Sequence, residues 1–142
     1  MRPKRIAATL LAACIPGAAL AATQTLLPAE RYEGPVAFIT GGIGKDEAKA
    51  FERAEKRFPL ALEFVDRAGK RDEFIAGANV KVTDAHGKAV LSTTVDGPFL
   101  LAKVPSGRYT VAATYGGKKM TRHVSVAGRT RHPVVFEWKA KA

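Results

Sequence analysis

Gly41-Gly42-Ile43-Gly44, followed by Lys45, is the first stretch whose residue types could do chemistry. Bare backbone amides ahead of a helix attract phosphate. A phosphate loop ending at Gly44-Lys45 needs glycine at position 39 and serine or threonine at 46, where Ile39 and Asp46 stand. A dinucleotide loop starting at Gly42 needs glycine or alanine at 47, which is Glu47. The two acids also repel phosphate. The stretch therefore reads as a turn and a helix entry, with Gly44 or Asp46 as the cap. His86, His123 and His132 lie in three separate segments, and none begins a His-x-x-Glu zinc pairing. No serine sits in a Gly-x-Ser-x-Gly elbow, and no pair of carboxylates stands out at a catalytic spacing. These absences predict no catalytic, cofactor or metal residue. An enzyme would have to be a hydrolase of unfamiliar design.

Basic residues are the second candidate for chemistry. The chain of 142 residues has 23 Lys and Arg against 13 Asp and Glu, a net charge of +10. Residues 97–142 hold nine basic side chains and a single acid, Glu137, whereas residues 22–96 are close to neutral. Lys103, Arg108, Lys118, Lys119, Arg122, Arg129 and Arg131 are the candidate contacts for an anionic partner, against the alternative of dispersed solubility charge. Nucleic acid is the weaker choice of polyanion. The basic segment has no interleaved stacking aromatics beyond Tyr109 and Tyr115, which the alternation assigns to a core face.

The N-terminus predicts export. Met1-Arg2-Pro3-Lys4-Arg5 is basic, Ile6 to Leu20 is uncharged and apolar, and Ala19-Leu20-Ala21 is a small-x-small cleavage signal. Removal of residues 1–21 takes three basic groups and leaves +7. A second reading makes Cys14 the lipidated first residue, because Leu11-Ala12-Ala13-Cys14 is lipobox-like. The apolar run continuing to Ala22 favours cleavage near Ala21. That cleavage leaves no cysteine, so the folded part must be stabilised by burial alone. The expected location is periplasmic or secreted.

The elements that would carry these residues follow in order. Residues 22–34 read as an extended leader, and residues 35–59 as a strand and helix prefix. Val36 to Thr40 is the strand, and the helix spans about 45–58 with Phe51, Ala54 and Phe58 as its apolar stripe. Pro59 ends it. Residues 60–138 then alternate in short segments with a turn every 8–12 residues, the pattern of a β-sandwich. Ala78, Val80 and Val82 point opposite to Asn79, Lys81 and Thr83, and Lys119, Thr121, His123 and Ser125 oppose Met120, Val124 and Val126. Asp96-Gly97 and Pro105-Ser106-Gly107 set turns around Phe99-Leu100-Leu101, and Gly116-Gly117 is a hairpin turn. Phe99, Tyr109, Val134, Phe136 and Trp138 are expected in the core.

Gly77-Ala78-Asn79-Val80-Lys81-Val82-Thr83-Asp84, Gly87, Thr94-Val95-Asp96-Gly97-Pro98-Phe99 and Pro105-Ser106-Gly107-Arg108-Tyr109-Thr110-Val111 together resemble the carboxypeptidase regulatory-like domain. The resemblance covers about residues 60–138. It implies a transthyretin-like (prealbumin-like) antiparallel β-sandwich, here of about seven strands, mainly β with one N-terminal helix. The glycine loop and helix ahead of it resemble the prefix of small exported proteobacterial proteins with that domain. In zinc carboxypeptidases the domain is an appendage to the catalytic one. Transthyretin-like hydrolases carry a histidine and arginine cluster and a Tyr-Arg-Gly-Ser terminus. This chain ends Phe136-Glu137-Trp138-Lys139-Ala140-Lys141-Ala142, so that activity does not carry over. The sequence thus predicts an exported, non-catalytic binding or accessory module whose partner is an envelope protein or an anionic envelope polymer. The alternative is a structural module that pairs by an edge strand in a larger envelope assembly.

Overall fold

The structure is a computed structural model that describes residues 27–68, 71–74, 76–129 and 132–139. The expected signal segment 1–21, Cys14 and Arg131 lie outside these residues. Ten strands, β1(Arg31–Glu33), β2(Val36–Gly41), β3(Leu60–Ala68), β4(Arg71–Phe74), β5(Asn79–Asp84), β6(Ala89–Thr94), β7(Phe99–Lys103), β8(Gly107–Tyr115), β9(Lys118–Val126) and β10(Val134–Lys139), form two sheets among the described residues. One sheet runs β1-β2-β7-β3-β10, with β4 beside β3, and the other runs β6-β5-β8-β9. The mainly β sandwich that the alternation predicts is therefore present.

Two features of the prediction change. The strand number exceeds seven because β1, β4 and β7 had no alternation to reveal them. β7 is apolar from Phe99 to Ala102, all four residues buried, because that stretch is covered on both faces. The sandwich is also not wholly antiparallel, since β10 lies parallel to β3, pairing Val134 with Leu62 through Lys139 with Arg67. The chain leaves β9 in one sheet and crosses to the other, arriving beside β3 in the same direction.

Between the sheets lies a core of Leu62, Phe64, Val80, Val82, Leu91, Leu100, Val111, Ala113 and Phe136, with Tyr109 and Trp138 at its margins. Tyr109 keeps its hydroxyl satisfied by donating to the Pro105 carbonyl at 2.6 Å. The other face of the larger sheet is covered by α1 (Lys45–Ala54), which buries Ala48, Phe51 and Ala54 against Ile39, Ala61, Phe99 and Leu101. Phe99 thus belongs to this second core, stacked on Phe51 at 5.4 Å between centroids. The helix stops short of the expected residue 58. Pro59 holds Phe58 extended (φ −110°, ψ 141°), so Glu55–Arg57 tighten into a single 3-10 turn.

The prefix strand β2 is hydrogen-bonded between β1 and β7, and all six of its residues are buried. Thr40 ties it to the opening turn of β7. Its hydroxyl donates to the Phe99 carbonyl at 2.8 Å and accepts the Asp96 amide at 3.1 Å. A side chain at Gly97 would fall on the backbone of Gly41, which is why that turn takes glycine. No helix among the described residues is long and apolar enough to cross a membrane.

Candidate functional site

The outer face of the four-stranded sheet is where the alternation gathers polar chemistry. Because paired residues share a face, the registers align Thr94, Asn79, Thr114 and Lys119 in one row across the strands. Ser92, Lys81, Ala112 and Thr121 form the next row, then Thr83, Thr110 and His123, then Arg108 and Ser125. The Thr94 hydroxyl donates to Asn79 Oδ1 at 2.7 Å, and Thr110 Oγ1 lies 3.1 Å from His123 Nδ1. None of these positions holds a carboxylate, and Lys81, Arg108 and Lys119 are exposed. Arg108 and Lys119 are three rows apart, about 20 Å at the usual rise of a strand. Separate cations along such a strip suit an extended anion better than a compact one.

The basic residues singled out from the sequence do not converge. Lys103 projects on the helix side of the other sheet, 2.7 Å from Glu30 Oε1 and 5.6 Å above the Phe58 ring. Its charge is neutralised there, so it does not belong with the rest. Arg122 shares the inward register of Met120 and Val124, and its guanidinium lies 5.6 Å over the Phe136 ring at the open side of the sandwich. Lys118 closes the hairpin, its carbonyl accepting the Trp138 indole N–H at 3.1 Å. Arg129 is exposed beyond the end of β9. Of the six that lie among the described residues, only Arg108 and Lys119 share the polar face. Lys81 and His123 join them there, although they were not candidates. The alternation had marked both as outward, but only the strand order puts β5 within reach of β9.

Asp96, Gly97, Pro105, Gly107, Gly116 and Gly117 lie between strands or at their ends. Gly116 and Gly117 take φ of 56° and 78° between Tyr115 and Lys118, the two-residue hairpin that glycine permits. Asp96 pairs with Arg31 at 2.9 Å. At Gly107 an added side chain would meet only the Tyr109 ring, at 3.8 Å. Pro105 serves through the carbonyl that Tyr109 uses.

The glycine loop has its anion already. Glu47 Oε1 accepts the Gly42 amide at 2.8 Å, so the chain's own carboxylate occupies the donor that a phosphate would need. Gly44 is the N-cap residue, with no side-chain capping bond, and Asp46 does not cap. A side chain at Gly42 would run into the Phe99 ring.

A pair of carboxyl groups, which the sequence had not suggested, meets where the 3-10 turn lies on β3. Glu55 is buried, and its Oε1 has no hydrogen-bond partner. Burial pushes its carboxyl up to about 8, with the Glu63 hydrogen bond and charge and the Glu52 charge adding to the rise. Such a group holds a proton at neutral pH. Here the pair is packed into the helix–sheet joint. Eight residues of sequence and a change of element separate Glu55 from Glu63, so no spacing rule signals it.

Among the described residues no three of His, Cys, Asp or Glu gather where they could hold a metal ion. His86 lies in the β5–β6 loop, His123 on β9 and His132 ahead of β10. No protein-family model matches the chain, and no curated protein is significantly similar to it.

Proposed function

We propose that this chain is an exported, non-catalytic binding module of the bacterial cell envelope that holds a linear anionic polymer on the outer face of its four-stranded sheet. The observation that carries the reading is that face, where Lys81, Arg108 and Lys119 stand among hydroxyl and amide groups with no carboxylate between them. Single-sign charge raises the local concentration of a polyanion, and the hydroxyl rows offer hydrogen bonds to its oxygens. The likeness of residues 60–138 to carboxypeptidase regulatory-like domains, and the signal-like N-terminus, support an accessory role outside the cytoplasm.

The test uses long-chain polyphosphate, which carries the charge without an apolar part. Wild-type protein binds it, and the affinity falls with added salt. The triple variant Lys81→Glu, Arg108→Glu, Lys119→Glu loses about tenfold or more in affinity, or 1.4 kcal/mol per decade, while its melting curve stays in place. Equal binding by both proteins would sink the proposal.

A second reading rests on β9, a nine-residue strand at the end of its sheet. It would add a partner's strand by backbone hydrogen bonds. Salt-insensitive co-purification with one protein would favour it. The Lys118, Lys119 and Arg122 side chains on that strand are the kind that guard an edge against such pairing.

A further inference from the structure

A cleft of about 510 Å³ opens at one end of the sandwich, where the β1–β2 turn, the β5–β6 hairpin and the β7–β8 turn meet. Pro35, Val36, Val90, Pro105 and Tyr109 give it apolar walls, and Lys88 and Arg108 stand among the residues that line it. Its loops are held in place without a ligand. Asp84 Oδ1 accepts the amides of His86 and Lys88 at 2.9 Å each, and the Asp84 amide returns a bond to the Lys88 carbonyl at 2.9 Å. The Tyr109 hydroxyl is already used on Pro105, so its ring contributes an apolar wall.

The charges around the cleft are unequal in their commitments. The two acids that line it are engaged with backbone amides, Asp84 as described and Glu33 through Oε2 to the Ser92 amide at 2.9 Å. Neither Lys88 nor Arg108 takes part in an ion pair among the described residues. The Lys88 ammonium helps to hold the Asp84 carboxyl low, so Arg108 is the freer of the two cations, and an apolar interior beside it matches a ligand with an apolar body and one anionic end. At about 510 Å³, open on one side, the cleft lies in the size range of small-molecule sites and has room for a chain of about ten carbons and a carboxylate.

We propose that this cleft binds medium-chain acyl carboxylates, the chain lying between Val36, Val90 and Tyr109 and the carboxylate meeting Arg108 and Lys88. Arg108 serves both this site and the polymer face, so the two are separated by the other residues of that face.

The experiment follows amide and side-chain resonances of the whole protein during titration with decanoate below its micelle concentration. Acetate, which lacks the chain, and decanol, which lacks the charge, run in parallel. Decanoate is expected to saturate with shifts confined to the three turns around the cleft. Decanol binds about tenfold more weakly, and acetate produces no saturable shift at the same concentration. Arg108→Gln and Lys88→Gln each weaken decanoate by several-fold and leave decanol unchanged. The double variant Lys81→Glu, Lys119→Glu binds decanoate as wild type does, whatever it does to polyphosphate. The proposal is overturned by absence of saturable decanoate binding, by equal affinity for decanoate and decanol, by shifts away from the cleft, or by Arg108→Gln and Lys88→Gln variants that both bind like wild type.

Discussion

At the scale of single residues, Glu55 shows how position overrides type. A glutamate on a solvated helix face titrates in the ordinary carboxylate range, but here the turn of the chain into β3 carries it under cover and against Glu63. Its folded value of about 8 lies above that of an unfolded glutamate, about 4.3. Between those limits the folded state keeps a proton that the unfolded state releases, so stability falls as pH rises through that window and levels off above it. Glu55→Gln is neutral throughout and removes that contribution. The melting temperature of the variant minus that of wild type should therefore climb steadily from pH 5 to pH 8. A difference independent of pH would show that Glu55 ionises normally.

Among the elements, α1 packs on the sheet through Ala48, Phe51 and Ala54, the Phe51 ring being stacked on Phe99. Phe51 is fully buried against Phe99, and both lie in a core separate from the one between the sheets. Phe51→Ala should cost about 3–5 kcal/mol by loss of burial and the cavity left behind. Ile43, at the entry of the same helix, is 64% exposed, and Ile43→Ala should stay within about 0.5 kcal/mol of wild type. Urea unfolding of the two variants measures both. A small loss at Phe51 would mean that the helix contributes little to the stability of the sheet beneath it.

The whole molecule is layered as helix, six-stranded sheet and four-stranded sheet, with unequal sides. On one side Arg31 of β1 reaches Asp96 and Thr93, and Glu33 takes the Ser92 amide, so the β6 margin is covered. On the other side β9 and β10 end their sheets, with Arg122 lying over Phe136 between them. Hydrogen exchange should register the difference. Amides of β5 and β8, paired on both sides, should exchange last, and the outward amides of β9 roughly a hundredfold sooner. Uniform protection across the sheet would indicate that β9 is covered in solution, as the edge-pairing reading requires.

Neighbouring residues along the chain account for the local layer of this protein. Period-two alternation named the inward and outward residues of β5, β8 and β9, and turn chemistry placed the bends at Asp96-Gly97 and Gly116-Gly117. Local sequence left β7 unrecognised as a strand, because a strand buried on both faces has no alternation to read. It also grouped Lys103 with Arg108 by proximity in the chain, although the two project from different sheets. It takes the assembled sheets to put Lys81 on one face with Lys119, Glu55 against Glu63, and three distant turns around one cleft. Alternation and turn signals are interactions between near neighbours. A shared face or cleft depends on strand order and register, which follow from how all the apolar surfaces are buried at once.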